Sequence, residues 1–365
     1  PGRYWRYQEL SAAVFDLFRA VTPLVEGISL DEAFLDVTGA RRLLGDGTTI
    51  ARHLREQVLA ELGLTCSVGV APRKLTAKLA SEAAKPVASL AGPIPGPGVV
   101  EVTAADELVF LHAHPIRALW GVGPATGRRL DQLGIRTVGD LAAAPVEALT
   151  AALGNHQGRH LHDLAWARDE RPVLAAVRAK SIGHEETFAQ DHHGLDTLGP
   201  ELVRLADGVA SRLRRAGLAG RTVTVKVRYA DFRTITRSVT LREALDGGQA
   251  LVEAARPLLA GIDPGEGVRL LGVSVSGMVE ETSRQLSLDE LLGGGGSGGP
   301  SSGGPEAASG SETRPPEVVA AAWSEATRAM DEIRDRFGDA MIGPASTAKR
   351  GPKRRGDTQW GPDGS

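Results

Sequence analysis

Two adjacent carboxylates, Asp31 and Glu32, lie between two short apolar runs of the chain. Val25 and Ile28 precede the pair and Phe34 to Val37 follow it, a pattern typical of a tight strand–turn–strand unit. Carboxylates that point the same way at a turn repel each other unless a cation lies between them. Because Mg2+ prefers carboxylate oxygens, the pair predicts a divalent metal site, with a solvated hairpin tip as the alternative.

A second pattern, at residues 119–130 and 133–141, resembles a helix–hairpin–helix. Gly121 and Gly123 would allow a tight turn and a close approach to a ligand, and Thr126 follows near the start of the next helix. Amide groups at a helix N-terminus face an anion, so the pattern predicts contact with a DNA backbone without sequence reading. An ordinary helical hairpin with a glycine turn is the alternative.

Basic residues are concentrated in one stretch although the net charge of the 365-residue chain is -3. Residues 211–242 contain one acid, Asp231, and nine Lys or Arg: Arg212, Arg214, Arg215, Arg221, Lys226, Arg228, Arg233, Arg237 and Arg242. Such a local stripe predicts binding to a phosphate backbone.

The elements that must position these groups follow from the apolar periodicity. Helices are predicted at 8–20, 48–62 and 72–84, with a strand at 64–70 and a connection at 91–98. Residues 116–167 are predicted to be helical with short glycine turns. From Ser181 to Met278 the predicted order is strand–helix–strand–strand–helix–strand, one open sheet backed by two helices. Residues 291–310 predict a flexible linker and 323–337 a short helix.

Two strings of residues resemble the Y-family translesion DNA polymerases. Residues 29–36, Ser-Leu-Asp-Glu-Ala-Phe-Leu-Asp, are similar to the palm motif of that family, and residues 67–86 are similar to its following strand and helix. The resemblance implies that Asp31 and Glu32 are catalytic and ligate two Mg2+ ions. It also implies that Lys85 contacts the incoming triphosphate; Lys78 and Arg73 are expected at the surface or facing DNA.

The resemblance extends from about Tyr7 to Met278 and implies an α+β fold. The expected parts are a partial palm (1–109), a helical thumb with the helix–hairpin–helix (110–172), a βαββαβ little finger (178–280) and a tail (281–365). It further implies that Ser181, Arg228, Arg233 and Arg237 of the little finger bind DNA. The expected activity is error-prone, template-directed DNA synthesis by a cytoplasmic monomer that binds primer-template DNA and deoxynucleoside triphosphates.

Residues 285–288, Gln-Leu-Ser-Leu, resemble a peptide that binds the bacterial sliding clamp. Gln285, Leu286 and Leu288 would insert into a preformed apolar groove of the clamp. The position of the peptide after the last predicted strand favours this interpretation, whereas Asp289 stands where the commoner form of the motif has an aromatic residue.

The chain departs from the family in one respect. The first metal-ligating Asp of the family lies in an N-terminal strand that has no counterpart here, so two of three carboxylates remain. We therefore expect little or no polymerase activity from these 365 residues tested alone. The main alternative is a non-catalytic DNA- and clamp-binding fragment. An accessory protein of a mutagenesis cassette is disfavoured because such relatives typically lose the palm acids, whereas Asp31 and Glu32 are retained. A nucleotide cyclase palm would leave the helix–hairpin–helix unexplained. No membrane partner is expected.

Overall fold

The computed structural model describes residues 3–176, 178–280, 316–338 and 342–343. They belong to two compact units, one covering residues 4–177 and one that begins at Arg178. The boundary coincides with the predicted start of the little finger at residue 178. No helix of the described residues is both long enough and apolar enough to cross a membrane.

The first unit begins with helices and short strands. In chain order these are α1 (Tyr4–Val21), β1 (Val25–Gly27), β2 (Ala33–Leu35), α2 (Arg41–Leu44), α3 (Gly47–Leu62), β3 (Val68–Val70), α4 (Lys74–Ala83) and β4 (Val99–Glu101). Five short helices follow: α5 (Glu107–His112), α6 (Pro124–Gln132), α7 (Val138–Ala143), α8 (Val146–Leu153) and α9 (Asn155–Ala165).

Helix α3 shows how the sequence sets an element of this unit. The Asp46 side chain accepts a hydrogen bond from the Thr49 amide (2.8 Å), and Gly63 ends the helix in the left-handed conformation, with φ of 66°. Ile50, Leu54 and Val58 form its buried face. The helix predicted at 48–62 is confirmed.

Strands of the first unit form two separate two-stranded sheets. β1 and β2 pair antiparallel as the predicted hairpin, with Val25 opposite Leu35. β3 pairs parallel with β4, with Val68 opposite Val99. The prediction of a strand over 64–70 was too long, and β4 directly after the 91–98 connection was not foreseen, because a three-residue strand carries too little periodicity.

Gly69 allows β3 to lie against α4. A Cβ at this position would be 2.0 Å from the Ala77 carbonyl oxygen and 2.3 Å from the Ser81 amide nitrogen, both of them backbone atoms that cannot move aside alone. Helix and strand are therefore in contact at a spacing that only glycine permits.

The main core of the first unit lies among its later helices. Leu111, Leu130, Leu141, Leu149 and Leu161 are fully buried there, and Leu75 and Leu79 of α4 belong to the same cluster. The start of α4 is thus packed against the helical part of the unit. The predicted helical character of 116–167 is confirmed.

The second unit contains β5 (Ser181–His192), α10 (Leu195–Arg215), β6 (Leu218–Tyr229), β7 (Thr234–Leu245), α11 (Gly248–Ala260) and β8 (Val268–Glu280), in the predicted order. The four strands form one antiparallel sheet in the order β5-β8-β6-β7. Both helices pack on one face, over a large cluster of fully buried side chains that includes Leu198, Leu205, Val223, Val225 and Leu271. A last helix, α12 (Pro316–Phe337), exceeds its predicted length.

Candidate active site and nucleic-acid interface

The carboxylate pair lies in the turn between β1 and β2. The turn closes through two backbone hydrogen bonds to the Glu32 carbonyl, from Ile28 (2.8 Å) and Ser29 (3.2 Å). The Ser29 hydroxyl donates to an Asp31 carboxylate oxygen (2.6 Å), which fixes that carboxylate locally. Asp31 is exposed and Glu32 is half-buried. A carboxylate pair is therefore held at a hairpin tip where solvent and ligands can reach it.

Two lysines of the following strand–helix segment face the pair. Lys78 on α4 places its Nζ 3.2 Å from both carboxylate oxygens of Glu32. Lys85, just beyond α4, pairs with Glu82 at 2.7 Å. That hydrogen bond raises the pKa of Lys85, and the charges of Glu32 and Asp31 raise it further. Lys78 thus contacts the carboxylate pair directly, whereas Lys85 contacts Glu82, and a role of Lys85 in binding the triphosphate stays a prediction.

The base of the hairpin is fixed by a second, more deeply buried ion pair. Lys74 Nζ lies 2.7 Å from both carboxylate oxygens of Glu26 on β1, with side chains only 9% and 15% exposed. The Leu174 amide also donates to Glu26 (2.8 Å), and Lys74 donates to the Pro172 carbonyl (3.2 Å). Burial raises the pKa of Glu26, but Lys74 and the Leu174 amide lower it by more. The strand leading to the carboxylates is thereby tied to α4 and to residues 172–174.

Aromatic and charged side chains extend this contact to the glycine turn. The Lys74 ammonium lies 5.0 Å from the ring centre of Phe34 on β2, and Phe34 lies 6.0 Å from Trp120. The Arg171 guanidinium lies over the Trp120 ring, 5.1 Å from its centre. Arg171 also forms an ion pair with the buried Asp169. Sequence reasoning missed this network, because its members are far apart in the chain.

Arg73, which was expected at the surface or facing DNA, is partly exposed and forms an ion pair. Its guanidinium pairs with Glu107, whose side chain is 3% exposed and also accepts a hydrogen bond from the Thr76 hydroxyl (2.7 Å). Arg73 and Thr76 thus give the buried Glu107 carboxylate its polar partners.

The donor set at the hairpin fits Mg2+. Magnesium in proteins is held by one or two carboxylates together with phosphate and water oxygens, and Asp31 and Glu32 supply two hard oxygen donors. Within the described part of the chain, no group of three His, Cys, Asp or Glu side chains converges into a metal site. A metal at this pair therefore requires further oxygen ligands, such as those of a triphosphate.

The glycine turn precedes α6, as predicted for the helix–hairpin–helix. Gly121 has φ of 96°, which requires glycine, whereas Gly123 has φ of -77°, which any residue can adopt. A Cβ at Gly123 would meet nothing within 4 Å, so the backbone there is open to a ligand. Thr126 lies in the first turn of α6, and Thr137 caps α7 through the Asp140 amide (3.0 Å).

A cleft of about 380 Å³ separates this turn from α4. Lys78 and Arg117 are its cationic side chains, and Leu79, Trp120 and Gly121 are among its other lining residues. Since Lys78 also contacts Glu32, the cleft adjoins the carboxylate pair.

The second unit presents an open sheet face rich in hydroxyl groups. On β6, Val223, Val225 and Val227 face the helices, so Lys226 and Arg228 lie on the opposite face. The strand registers place many small polar residues on this same face: Thr222, Thr224, Thr234, Thr236, Ser238, Thr240, Ser274, Ser276 and Ser181. Hydroxyls and cations on a flat face can bind phosphate and sugar groups of a nucleic acid.

The predicted little-finger contacts do not all share that face. Ser181 and Arg228 do, whereas Arg237 pairs opposite Val225 and therefore lies on the helix-covered side of edge strand β7. Arg233 lies in the β6–β7 connection and pairs with Glu266. The prediction of one basic stripe over 211–242 was likewise wrong, because Arg214 and Arg215 lie on α10 and pair with Asp331 and Asp335. Gln285, Leu286 and Leu288 lie outside the described residues.

Models of three protein families match the chain. The impB/mucB/samB family matches residues 1–82 and its C-terminal domain matches 179–288. The thumb domain of DNA polymerase iota matches 117–168, which contains the glycine turn. Together these ranges include the carboxylate hairpin and the hydroxyl-rich sheet.

Named relatives and solved structures agree with these matches. DNA polymerase IV 2 of Mesorhizobium japonicum is 40% identical over 95% of this chain and 78% of its own length. DNA polymerase IV of Streptomyces coelicolor is 44% identical over 78% of this chain, which covers 58% of that protein. A chimera of the Y-family polymerases Dbh and Dpo4 has the same fold, with a TM-score of 0.65, 23% identity and coverage of 77% of this chain and 78% of the chimera.

The relative from Mesorhizobium japonicum combines high identity with coverage of most of both chains. The carboxylate hairpin, the helical unit with its glycine turn and the four-stranded sheet are all within the matched region. The chain therefore belongs to the Y family of DNA polymerases, with DNA polymerase IV proteins as its relatives.

Proposed function

We propose that the chain serves translesion DNA synthesis by template-directed nucleotidyl transfer, with the reaction at Asp31 and Glu32. The observation that supports this proposal most is the carboxylate pair at the tip of its closed hairpin, where Lys78 contacts Glu32, in a chain related to DNA polymerase IV. Deoxynucleoside triphosphates and a primer-template duplex are the proposed substrates.

Each residue of the cluster has a proposed task. Asp31 and Glu32 would hold Mg2+, which would supply Lewis-acid activation of the primer 3′ hydroxyl and charge neutralisation of the triphosphate. Lys85, cationic at neutral pH, binds phosphate oxygens of the nucleotide. Ser29 orients Asp31 by donating a hydrogen bond to it.

DNA binding is assigned to two other surfaces. The turn at Gly121 and Gly123 offers backbone amides at the start of α6 to a phosphate, while Thr126 lies in the same helical turn. Ser181, Lys226 and Arg228 offer a cation and hydroxyl surface on the open sheet face. Neither surface reads base edges, so we expect binding that is salt-dependent and largely independent of sequence.

Within the described residues, no third His, Cys, Asp or Glu side chain joins Asp31 and Glu32 in a metal-binding group. We propose that the chain shows little or no primer extension when tested alone. The experiment is extension of a labelled primer with Mg2+ and four triphosphates, next to the Asp31→Asn, Glu32→Gln variant. Extension clearly above that of the variant would refute the proposed inactivity and support the proposed site.

A second candidate function is that of a DNA- and clamp-binding module without catalysis, or an accessory mutagenesis protein. The hydroxyl-rich sheet face favours a binding module, because its residues belong to a compact unit that does not include the carboxylate hairpin. This candidate predicts duplex binding that survives Asp31→Ala with Glu32→Ala. Loss of duplex binding in that variant, with its fold intact, would rule the candidate out.

Sliding-clamp binding is proposed for residues 285–288. A peptide covering 281–292 should compete with the full chain for the bacterial clamp, and replacing Gln285 and Leu288 by Ala should abolish that competition. Equal competition by the substituted peptide would refute the assignment.

A further inference from the structure

Helix α12 lies beyond the 179–288 range of the matched family domain and is docked on α10. One side of α10 carries four polar residues, spaced one to four positions apart, which we call the docking stripe: Asp207, Ser211, Arg214 and Arg215. The opposite side of α10 packs its leucines and Val209 into the core. The docking stripe is thus a polar surface on a helix whose apolar side is already covered.

The charges of α12 are complementary to those of the docking stripe. Asp331 accepts from Arg214 through both carboxylate oxygens, at 2.7 and 2.9 Å, and from the Ser211 hydroxyl at 3.2 Å. A second pair has its base on α12 and its acid on α10: Arg334 lies 2.5 Å from Asp207. Asp335 pairs with Arg215 at 2.9 Å. Each helix therefore contributes both acids and bases.

Burial distinguishes this contact from a chance surface ion pair. The Arg334 side chain is 5% exposed and also donates to the Ile342 carbonyl (3.2 Å), while Arg214 and Asp331 are 16% and 17% exposed. Burial raises the pKa of Asp331, but its bonds with Arg214 lower it by more. Removing one member of such a pair leaves a buried charge without its partner.

We propose that the docking stripe is a specific binding site for a helix of complementary charge, and that its occupant is the C-terminal helix α12 of the same chain. The bidentate Arg214–Asp331 contact fixes the register, because a planar guanidinium fork demands two aligned oxygens. Docking joins Arg214 and Arg215 to acids of α12, on the side of α10 away from the sheet.

Hydrogen exchange of residues 326–337 in the full chain tests this inference. Arg214→Glu should accelerate their exchange on the order of tenfold or more, and so should Asp331→Arg. The charge-swapped double variant should recover most of the protection, since the pair is re-formed in reverse. Arg256→Glu, an exposed arginine on α11, is the matched control and should change nothing.

Three results would overturn the proposal. The first is rapid exchange of 326–337 in the unmodified chain, and the second is a double variant no better protected than either single one. The third is protection that rises with protein concentration together with a dimeric mass by light scattering, because the helix would then occupy a second copy. None of these readouts depends on the proposed polymerase function.

Discussion

The two units hold their strands in place by different means. In the second unit, four strands of 12 or 13 residues share a core with fully buried leucines and valines. In the first unit, β1 and β2 have three residues each and contribute only Val25 and Phe34 to the buried residues. The hairpin depends instead on the Glu26–Lys74 ion pair and on stacking with Trp120. The sheet is thus stabilised by hydrophobic burial, whereas the hairpin is positioned by polar contacts.

The hairpin and the sheet also differ in how their charged and polar groups are distributed. The hairpin concentrates charge at one point, with two carboxylates and two lysines, whereas the sheet spreads hydroxyls and two cations over a face. A concentrated charged cluster suits metal and triphosphate, and a dispersed surface suits a polymer of phosphates. Substitutions in one region at a time test this difference.

The largest effect is expected in the core of the second unit. Leu205→Ala removes a fully buried side chain and should destabilise that unit by about 3 to 4 kcal/mol. Urea unfolding followed by circular dichroism measures the change. Leu43→Ala is the control, since Leu43 is 89% exposed and should cost less than about 0.5 kcal/mol. Equal effects of the two substitutions would contradict the burial described for α10.

Gly69→Ala should break the contact between β3 and α4. The added methyl group meets two backbone atoms, so the cost is expected at about 3 kcal/mol, near the upper range for overpacking. Gly39→Ala is the matched control, because a Cβ at Gly39 has nothing within 4 Å. Thermal unfolding should show a lower midpoint for Gly69→Ala alone; an unchanged midpoint would refute the close approach.

Glu26→Gln should loosen the base of the hairpin and destabilise the first unit by about 2 kcal/mol, because Lys74 loses its buried partner. The pKa of Glu26 is lowered in the folded state, so its stabilisation is present above the unfolded value of about 4.5. That stabilisation is lost as the pH falls through the lower folded value. The difference between the two proteins should therefore be full at pH 7 and should be lost on acidification below pH 4.5, as the pH falls through the folded pKa of Glu26.

Glu9→Gln is the control for this measurement, since the Arg6–Glu9 pair is exposed on both sides. Its unfolding free energy should stay close to that of the unmodified chain. A pH-independent effect of Glu26→Gln would show that packing, rather than the ion pair, holds the hairpin.

The smallest effect concerns the open sheet face. Arg228→Ala should weaken duplex binding several-fold and reduce the slope of log affinity against log salt by about one, because one phosphate contact is lost. Arg237→Ala should change the duplex affinity and the salt slope much less, because Arg237 lies on the helix-covered side of its strand. Fluorescence anisotropy with a labelled duplex measures both variants. A larger loss for Arg237→Ala would place the DNA on the other face.

Local sequence signals predicted much of this architecture. Helix α3 is defined by signals that lie close together in the sequence. These are the Asp46 cap, the repeat of Ile50, Leu54 and Val58, and the terminal Gly63. The order of elements after Ser181 followed from long amphipathic segments that repeat the same strand and helix periods. The carboxylate hairpin was predicted because its apolar runs and turn are contiguous.

Other features depend on residues distant in the chain. The contact of Glu26 with Lys74 and Leu174 joins segments separated by 48 and 148 positions, which no local pattern encodes. Arg237 was grouped with Arg228 because charge counting ignores the alternation of strand faces. Arg214 and Arg215 were assigned to a DNA surface because the acids that pair with them lie more than 100 residues later.

Manganese binding at the hairpin tests the central assignment most directly. Mn2+ added with a nucleoside triphosphate should broaden the NMR signals of residues 29–33 and of Lys85 in the unmodified chain. The Asp31→Asn, Glu32→Gln variant should lose this broadening while its second unit keeps the same spectrum. Broadening that persists in the variant, or that appears only at other residues, would contradict the assignment of Asp31 and Glu32 as the metal-binding pair.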